Sequence, residues 1–258
     1  MSDRDGYEHG VPCALAGAYP DPGAAARFYG ELLGWEAEPE GETHLLCRLR
    51  GREAAMIGGV ADPSAPEAGL WITHVWVDDA GDAARSVSAA GGTVLAEPFD
   101  AAGGARVAVV ADPQGAVFAL LQAGEVRGAQ VVNEPGAWAM SILATSDPEA
   151  AKDFYGRVFG WETDEFEGAW LWRLPGYVGG EPSQPVPRDV IGAMVPAEGR
   201  PPGWDVNFWV HDADETAARA AELGGKVVVP PVDGPVTRDA VLADPQGGVF
   251  TVTTAPAP

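Results

Sequence analysis

Apolar residues recur over residues 22–33 at the spacing of a helix. Ala25, Phe28, Tyr29, Leu32 and Leu33 fall at i, i+3, i+4, i+7 and i+8, which is one helical face. Asp21 stands where an N-cap is expected, Pro22 at the first helical position, and Gly34 where a left-handed residue ends the last turn. The device returns at Asp147, Pro148, Ala151, Phe154, Tyr155, Val158, Phe159 and Gly160. Elsewhere the period drops to two, the mark of strands. In "WITHVWV", Val75 and Val77 suit a packed face, while Ile72, His74 and Trp76 share the other. In "WDVNFWV", Val206, Phe208 and Val210 alternate with Asp205, Asn207 and Trp209. Each of these strands runs into a second helix, capped near Asp79 in the first case and stopped at Gly91 and Gly92. "RVAVVADPQGAVFALLQ" predicts a β-hairpin with Asp112, Pro113 and Gly115 at positions i, i+1 and i+3 of a type I turn, and Asp244, Pro245 and Gly247 repeat it.

These elements occur twice. "FYGELLGWE" at Phe28 matches "FYGRVFGWE" at Phe154, "GGTV" at Gly91 matches "GGKV" at Gly224, and "ADPQGAVF" at Ala111 matches "ADPQGGVF" at Ala243. A period this long is a duplicated domain, since solenoid repeats are much shorter. The second copy carries an insertion, placed at the Pro/Gly/Ser-rich stretch Pro175 to Asp189, and the copies join near Gly124 to Gly136. We expect domains at 1–126 and 127–258. Each copy divides again into two strand–helix–strands units, so the fold class is α+β, with four βαβββ-like units forming tandem cupped mixed sheets.

The chain of 258 residues, 46% hydrophobic, has ample material for two cores. Its formal charge is −22, from 38 acidic and 16 basic residues. Such a surface repels phosphate backbones and anionic lipid, so neither nucleic acid nor membrane is an expected partner. Cys13 and Cys47 form neither a disulfide framework nor a zinc pattern. With no apolar run near ~18 residues and no cationic, apolar leader, the expectation is a soluble cytoplasmic protein.

The order Asp-x6-FY-x4-GW, "VDDxxDAA", "AAGG", "DPQGxxF", present twice, resembles the vicinal oxygen chelate superfamily, the glyoxalase, bleomycin-resistance and extradiol-dioxygenase fold. It is most similar to tandem two-domain actinobacterial proteins, some labelled hydroxylases in aromatic-polyketide clusters. The resemblance implies that paired units curl into a cup that holds the ligand. It also implies an intramolecular pseudo-dimer, with further self-association open. In the metalloenzymes of that superfamily, inward-facing His or Glu side chains hold a divalent ion. The matching positions here are Ala14 and Met140, Ile72 and Asp205, and Ala119 and Thr251. The fourth falls in "AAMIGGV" and "VIGAMVP", which contain no ligand. A slip of one residue gives Cys13, Leu15, Ser141, Thr73 or Phe118, and restores no His/Glu set. No cofactor is therefore expected.

By analogy with dimeric relatives, each cup would draw its first strand from one copy and its later strands from the other. One would combine Ala14 with Asp205, Asn207, Trp209 and Thr251; the other Trp138 and Met140 with His74, Trp76 and Ala119. Both are apolar and aromatic with a few polar groups, as suits a flat organic ligand. His74 serves either as a core histidine or as an acid–base group. Asp205 serves either as a rim cap or as a polar anchor. Trp76 and Trp209 are either packing or ligand-stacking groups. Trp35 and Trp161 belong to the core, and His9, His44 and His211 form no constellation. The expectation is a metal-free cup binding a small hydrophobic, aromatic molecule in antibiotic biosynthesis or resistance. A cofactor-independent hydroxylase or accessory enzyme using His74 or Asp205 is the alternative, with a metal-dependent lyase or dioxygenase behind it.

Overall fold

The computed structural model describes residues 5–59, 69–125, 127–179 and 187–254. Parts of the expected Pro175–Asp189 insertion and of the 124–136 join, together with the last residue of "AAMIGGV", lie outside them. Each copy folds into one eight-stranded sheet made only of its own strands. The first copy runs β1 (Pro12–Tyr19), α1 (Pro22–Leu33), β2 (Glu36–Glu40), β3 (His44–Leu49) and β4 (Arg52–Gly59), and then β5 (Leu70–Val77), α2 (Ala80–Ala89), β6 (Thr93–Asp100), β7 (Arg106–Ala111) and β8 (Val117–Gln122). The second copy repeats this as β9 (Trp138–Thr145), α3 (Pro148–Phe159), β10 (Glu162–Phe166), β11 (Ala169–Arg173) and β12 (Val190–Pro196), followed by β13 (Gly203–Trp209), α4 (Ala213–Glu222), β14 (Lys226–Asp233), β15 (Arg238–Ala243) and β16 (Val249–Thr254). Four βαβββ units are therefore observed, as the repeats predict. The sheet orders are β2-β3-β4-β1-β5-β8-β7-β6 and β10-β11-β12-β9-β13-β16-β15-β14. The units of a copy join through one antiparallel pair, β1 with β5 or β9 with β13.

The helices form where their caps were read. Asp21 accepts from Ala24 N at 2.9 Å, and Gly34 closes α1 at φ 79°. Asp147 accepts from Ala150 N at 3.1 Å, and Gly160 closes α3 at φ 74°. The "DPQG" turns are tight: Gly115 N donates to Asp112 O at 3.0 Å, and Asp112 Oδ1 accepts from Gln114 N and Ala116 N, both at 2.9 Å.

The two large cores are shared between copies. One joins α1 residues Phe28, Tyr29 and Leu33 to Val206, Phe208, Phe250 and α4 residues Ala213, Ala217 and Ala220. The other joins Val75, Phe118 and Val87 of α2 to Phe154, Tyr155 and Phe159 of α3. Each large side chain removed from water stabilises the assembly by about 1.5–3 kcal/mol, so separating the copies would expose aromatic surface on both. The repeated motifs lie at this junction. Trp35 stacks on Tyr29, with its Nε1 donating to Gly136 O at 2.7 Å; Trp161 stacks on Tyr155, with its Nε1 donating to Gly10 O at 2.7 Å. The turn glutamines hold the opposite copy's helix starts: Gln246 Oε1 accepts from Asp21 N at 2.8 Å, and Gln114 Oε1 accepts from Asp147 N at 3.1 Å.

Candidate functional site

Because β1 pairs with β5 and β9 with β13, each cup is built within one copy. The cross-copy cups drawn by analogy are corrected accordingly. Strand register sets Ala14, His74 and Ala119 in one row of the first cup, and Met140, Asn207 and Thr251 in the matching row of the second. The residue of the fifth strand in line with the other two is thus His74, or Asn207, rather than Ile72 or Asp205.

Among the described residues the first cup is partly covered. Cys13, Ala105, Ala119 and Leu121 are buried together, with Tyr7, Ala14, Ile72 and Trp76 packed against them. Tyr7 lies on Trp76 with ring centroids 6.2 Å apart and donates its hydroxyl to Ala129 O at 2.6 Å. The joining segment is tied to this end of the sheet: Ala129 N donates to Cys13 O at 2.7 Å, and Glu125 N to Gly103 O at 2.7 Å. Gly128 permits this approach, since a Cβ there would lie 2.6 Å from Cys13 O, and its φ of +78° favours glycine. His74 is 9% exposed beneath this cover. Burial lowers its pKa to about 4 against a small opposing effect of the Ile72 carbonyl, to which Nδ1 donates at 3.3 Å. The ring is neutral near pH 7.

The second cup is open. A cavity of ≈ 340 Å³ reaches into it. Ala139, Met140 and Ile142 of β9 with Leu171, Ala193 and Val195 form an apolar wall. Asn207 and Trp209 of β13 lie on its floor beside Thr251 and Thr253 of β16 and Asp239 of β15. Its mouth is framed by Asn133, by Phe166 and Glu167 at the β10–β11 turn, and by Pro235, Val236 and Thr237. Val206, Phe208 and Val252, the alternate residues of the same strands, face the shared core, so period two decides which side chains a ligand could meet. Asn207 is 6% exposed, and its Oδ1 finds no donor. Asp239 accepts from Thr237 Oγ1 at 2.8 Å and also from Thr253 Oγ1. Among the described residues no Lys, Arg or His lines this cavity.

The donor set does not suit a divalent metal. Among the described residues no three His, Cys, Asp or Glu side chains are grouped to hold one. The register rows offer one imidazole in the first cup and an amide with a hydroxyl in the second, short of the several nitrogen or carboxylate ligands such an ion needs.

The cavity gathers four expected residues: Met140, Asn207, Trp209 and Thr251. Trp138 is elsewhere. Asn207 faces Met140 but Phe208 faces Trp138, so Ala139 is bulged out and Trp138 rotates into the shared core. Asp205 sits outside the cavity lining, where Arg200 Nη2 lies 2.5 Å from its Oδ2. His74, Trp76 and Ala119 belong to the first cup. His74 and Asp205 therefore lie in different cups. The sequence reading missed Asp239 and the mouth residues, while alternation along the last strand had turned Thr253 inward with Thr251. Alternation in "RDAVLA" pointed to Asp239, but only the β15–β16 register sets it opposite Thr253. Among the described residues no helix is long and apolar enough to cross a membrane.

A family model described as a glyoxalase-like domain matches residues 14–121 and again 139–253. CFP32 of Mycobacterium bovis is 36% identical over 267 residues, covering 100% of this chain and 99% of that protein. The anthracycline biosynthesis protein DnrV of Streptomyces peucetius is 32% identical, covering 95% of this chain and 94% of its own. A Mn(II)-bound glyoxalase of Novosphingobium aromaticivorans has the same fold, with a TM-score of 0.65 at 18% identity over 98% of this chain and 83% of that one.

Proposed function

The chain belongs to the glyoxalase-like domain family, and from that premise we propose that it binds a small, flat, largely apolar molecule in its second cup without using a metal. The observation that carries this reading is the cavity of ≈ 340 Å³, apolar on one side, with Trp209 and the unpaired Asn207 amide on its floor. Small-molecule sites have this size and this mixture of apolar wall and few polar groups. An indole face offers a stacking platform for a conjugated ring. The likeness to an anthracycline biosynthesis protein supports an aromatic polyketide, or a similar fused-ring compound, as the ligand class.

A binding or sequestering role needs no more than these groups. A cofactor-independent reaction would need an acid–base group beside the ligand, and Asp239 is the carboxylate within the cavity placed for one. His74 lies in the first cup, so a reaction in the second cup would not use it.

Calorimetric titration with 2-(hydroxymethyl)anthraquinone tests the reading. Wild type should bind one equivalent. Ala169→Trp, which fills the cavity from its wall, should abolish the heat. Equal binding by both proteins would refute the assignment to this cup.

A further inference from the structure

The polar end of the second cup is built of hydrogen-bond acceptors. Thr237 and Thr253 both donate to Asp239, so their hydroxyl protons are committed and their oxygens can only accept from a ligand. Thr253 is 2% exposed, which leaves Asp239 with one fixed partner inside the wall. Independently, Asn207 offers a buried carbonyl oxygen with no donor. A buried acceptor without a partner costs free energy that a bound donor would recover. Register places these groups side by side: Trp209 is in line with Thr253 and then Asp239, while Asn207 is in line with Thr251. Neighbouring strands lie ~4.8 Å apart, so Asp239 stands ~10 Å across the floor from Trp209, within one fused-ring ligand's length.

We propose that Asp239 is the specificity-determining residue of this cup, and that it selects an aromatic ligand bearing a protonated amine, whose N–H groups it accepts while the rings lie on Trp209. The proposal rests on the reading of the cup as an aromatic-binding site. With Asp239 and Glu167 lining the cavity and no cation there, an ammonium group would bring the missing charge. A carboxylated ligand would face Asp239 with like charge. Threonines that hold both carboxylate oxygens also keep Asp239 from swinging towards solvent, so its charge is pre-oriented.

Three probes with one ring system separate the outcomes: 2-(aminomethyl)anthraquinone, 2-(hydroxymethyl)anthraquinone and anthraquinone-2-carboxylate. Their dissociation constants would be measured by calorimetry on the full chain. The amine should bind about tenfold or more tighter than the alcohol, as a charge-assisted bond predicts, and the carboxylate weakest. The preference should shrink as salt is raised. Asp239→Asn keeps an acceptor for Thr253 and should level amine and alcohol. Amine and alcohol binding equally, or a preference that survives in Asp239→Asn, would overturn the proposal while leaving the aromatic site standing. Failure of all three probes to bind would overturn that site and this proposal together. Should Asp239→Asn unfold, Thr237→Val frees one carboxylate oxygen, and a changed amine-to-alcohol ratio is then the expected result.

Discussion

Tyr29 of the first copy donates its hydroxyl to Asp244 of the second at 2.9 Å, inside the core that joins them. The same hydroxyl accepts from Trp71 Nε1 at 2.8 Å. Tyr155 reciprocates, donating to Asp112 at 3.2 Å and accepting from Trp204 Nε1 at 2.9 Å. Burial, and then the neighbouring carboxylate, raise both tyrosine pKa values well above 10.0, so each hydroxyl keeps its proton to donate near neutral pH. The repeated "FY" and "DP" residues are thus two halves of one contact, written once in each copy.

Tyr29→Phe should cost about 2 kcal/mol or more, because it removes a buried bond to the Asp244 carboxylate and leaves the buried Trp71 Nε1–H without its acceptor. Urea unfolding reads the loss. Tyr155→Phe should behave alike, and a change within about 0.5 kcal/mol for either would show that the bond contributes little.

His74 gives the fold a defined acid sensitivity. Its folded pKa of about 4 lies below the unfolded value near 6.5, so the unfolded chain takes up a proton first as pH falls. Stability is unaffected above pH ~6.5 and declines between ~6.5 and 4, by about 3 kcal/mol in full. His74→Gln should lose less stability than wild type across that window, and parallel curves for the two proteins would count against a neutral buried ring.

Gly128 should resist substitution. Alanine there meets Cys13 O and the Tyr7 ring at a positive φ, so Gly128→Ala should lower stability by about 1–3 kcal/mol. Hydrogen exchange should quicken at Ala129 N, whose bond to Cys13 O ties the joining segment to the first cup. Unchanged protection there would show that the cover does not depend on this glycine.

Trp209→Ala should weaken binding of 2-(hydroxymethyl)anthraquinone about tenfold or more, and Trp209→Phe by less, since phenyl keeps part of the stacking face. If the two variants bind as wild type does, the ligand rests on another wall.

Metal should not matter to that binding. Protein dialysed against EDTA should keep its affinity, and elemental mass spectrometry before dialysis should find no stoichiometric Mn, Fe, Ni or Zn. A stoichiometric ion, lost together with binding, would require ligands other than the six aligned positions.

Much of the architecture was legible from local chemistry. Caps at Asp21 and Asp147, glycine stops at Gly34 and Gly160, and the Asp-Pro-x-Gly turns act within four residues, so the chain declares them wherever it is read. Period two likewise separated Asn207 and Trp209 from Val206 and Phe208 before any fold was known, because a strand's pleat is a local property. What only the tertiary structure decided was which strands meet. Pairing of β1 with β5 placed each cup inside one copy, the bulge at Ala139 turned Trp138 away, and Tyr7 with the Gly128 segment packed against the first cup. Register, bulges and the path of a joining segment depend on contacts between residues far apart in sequence, and no local pattern in the chain encodes them.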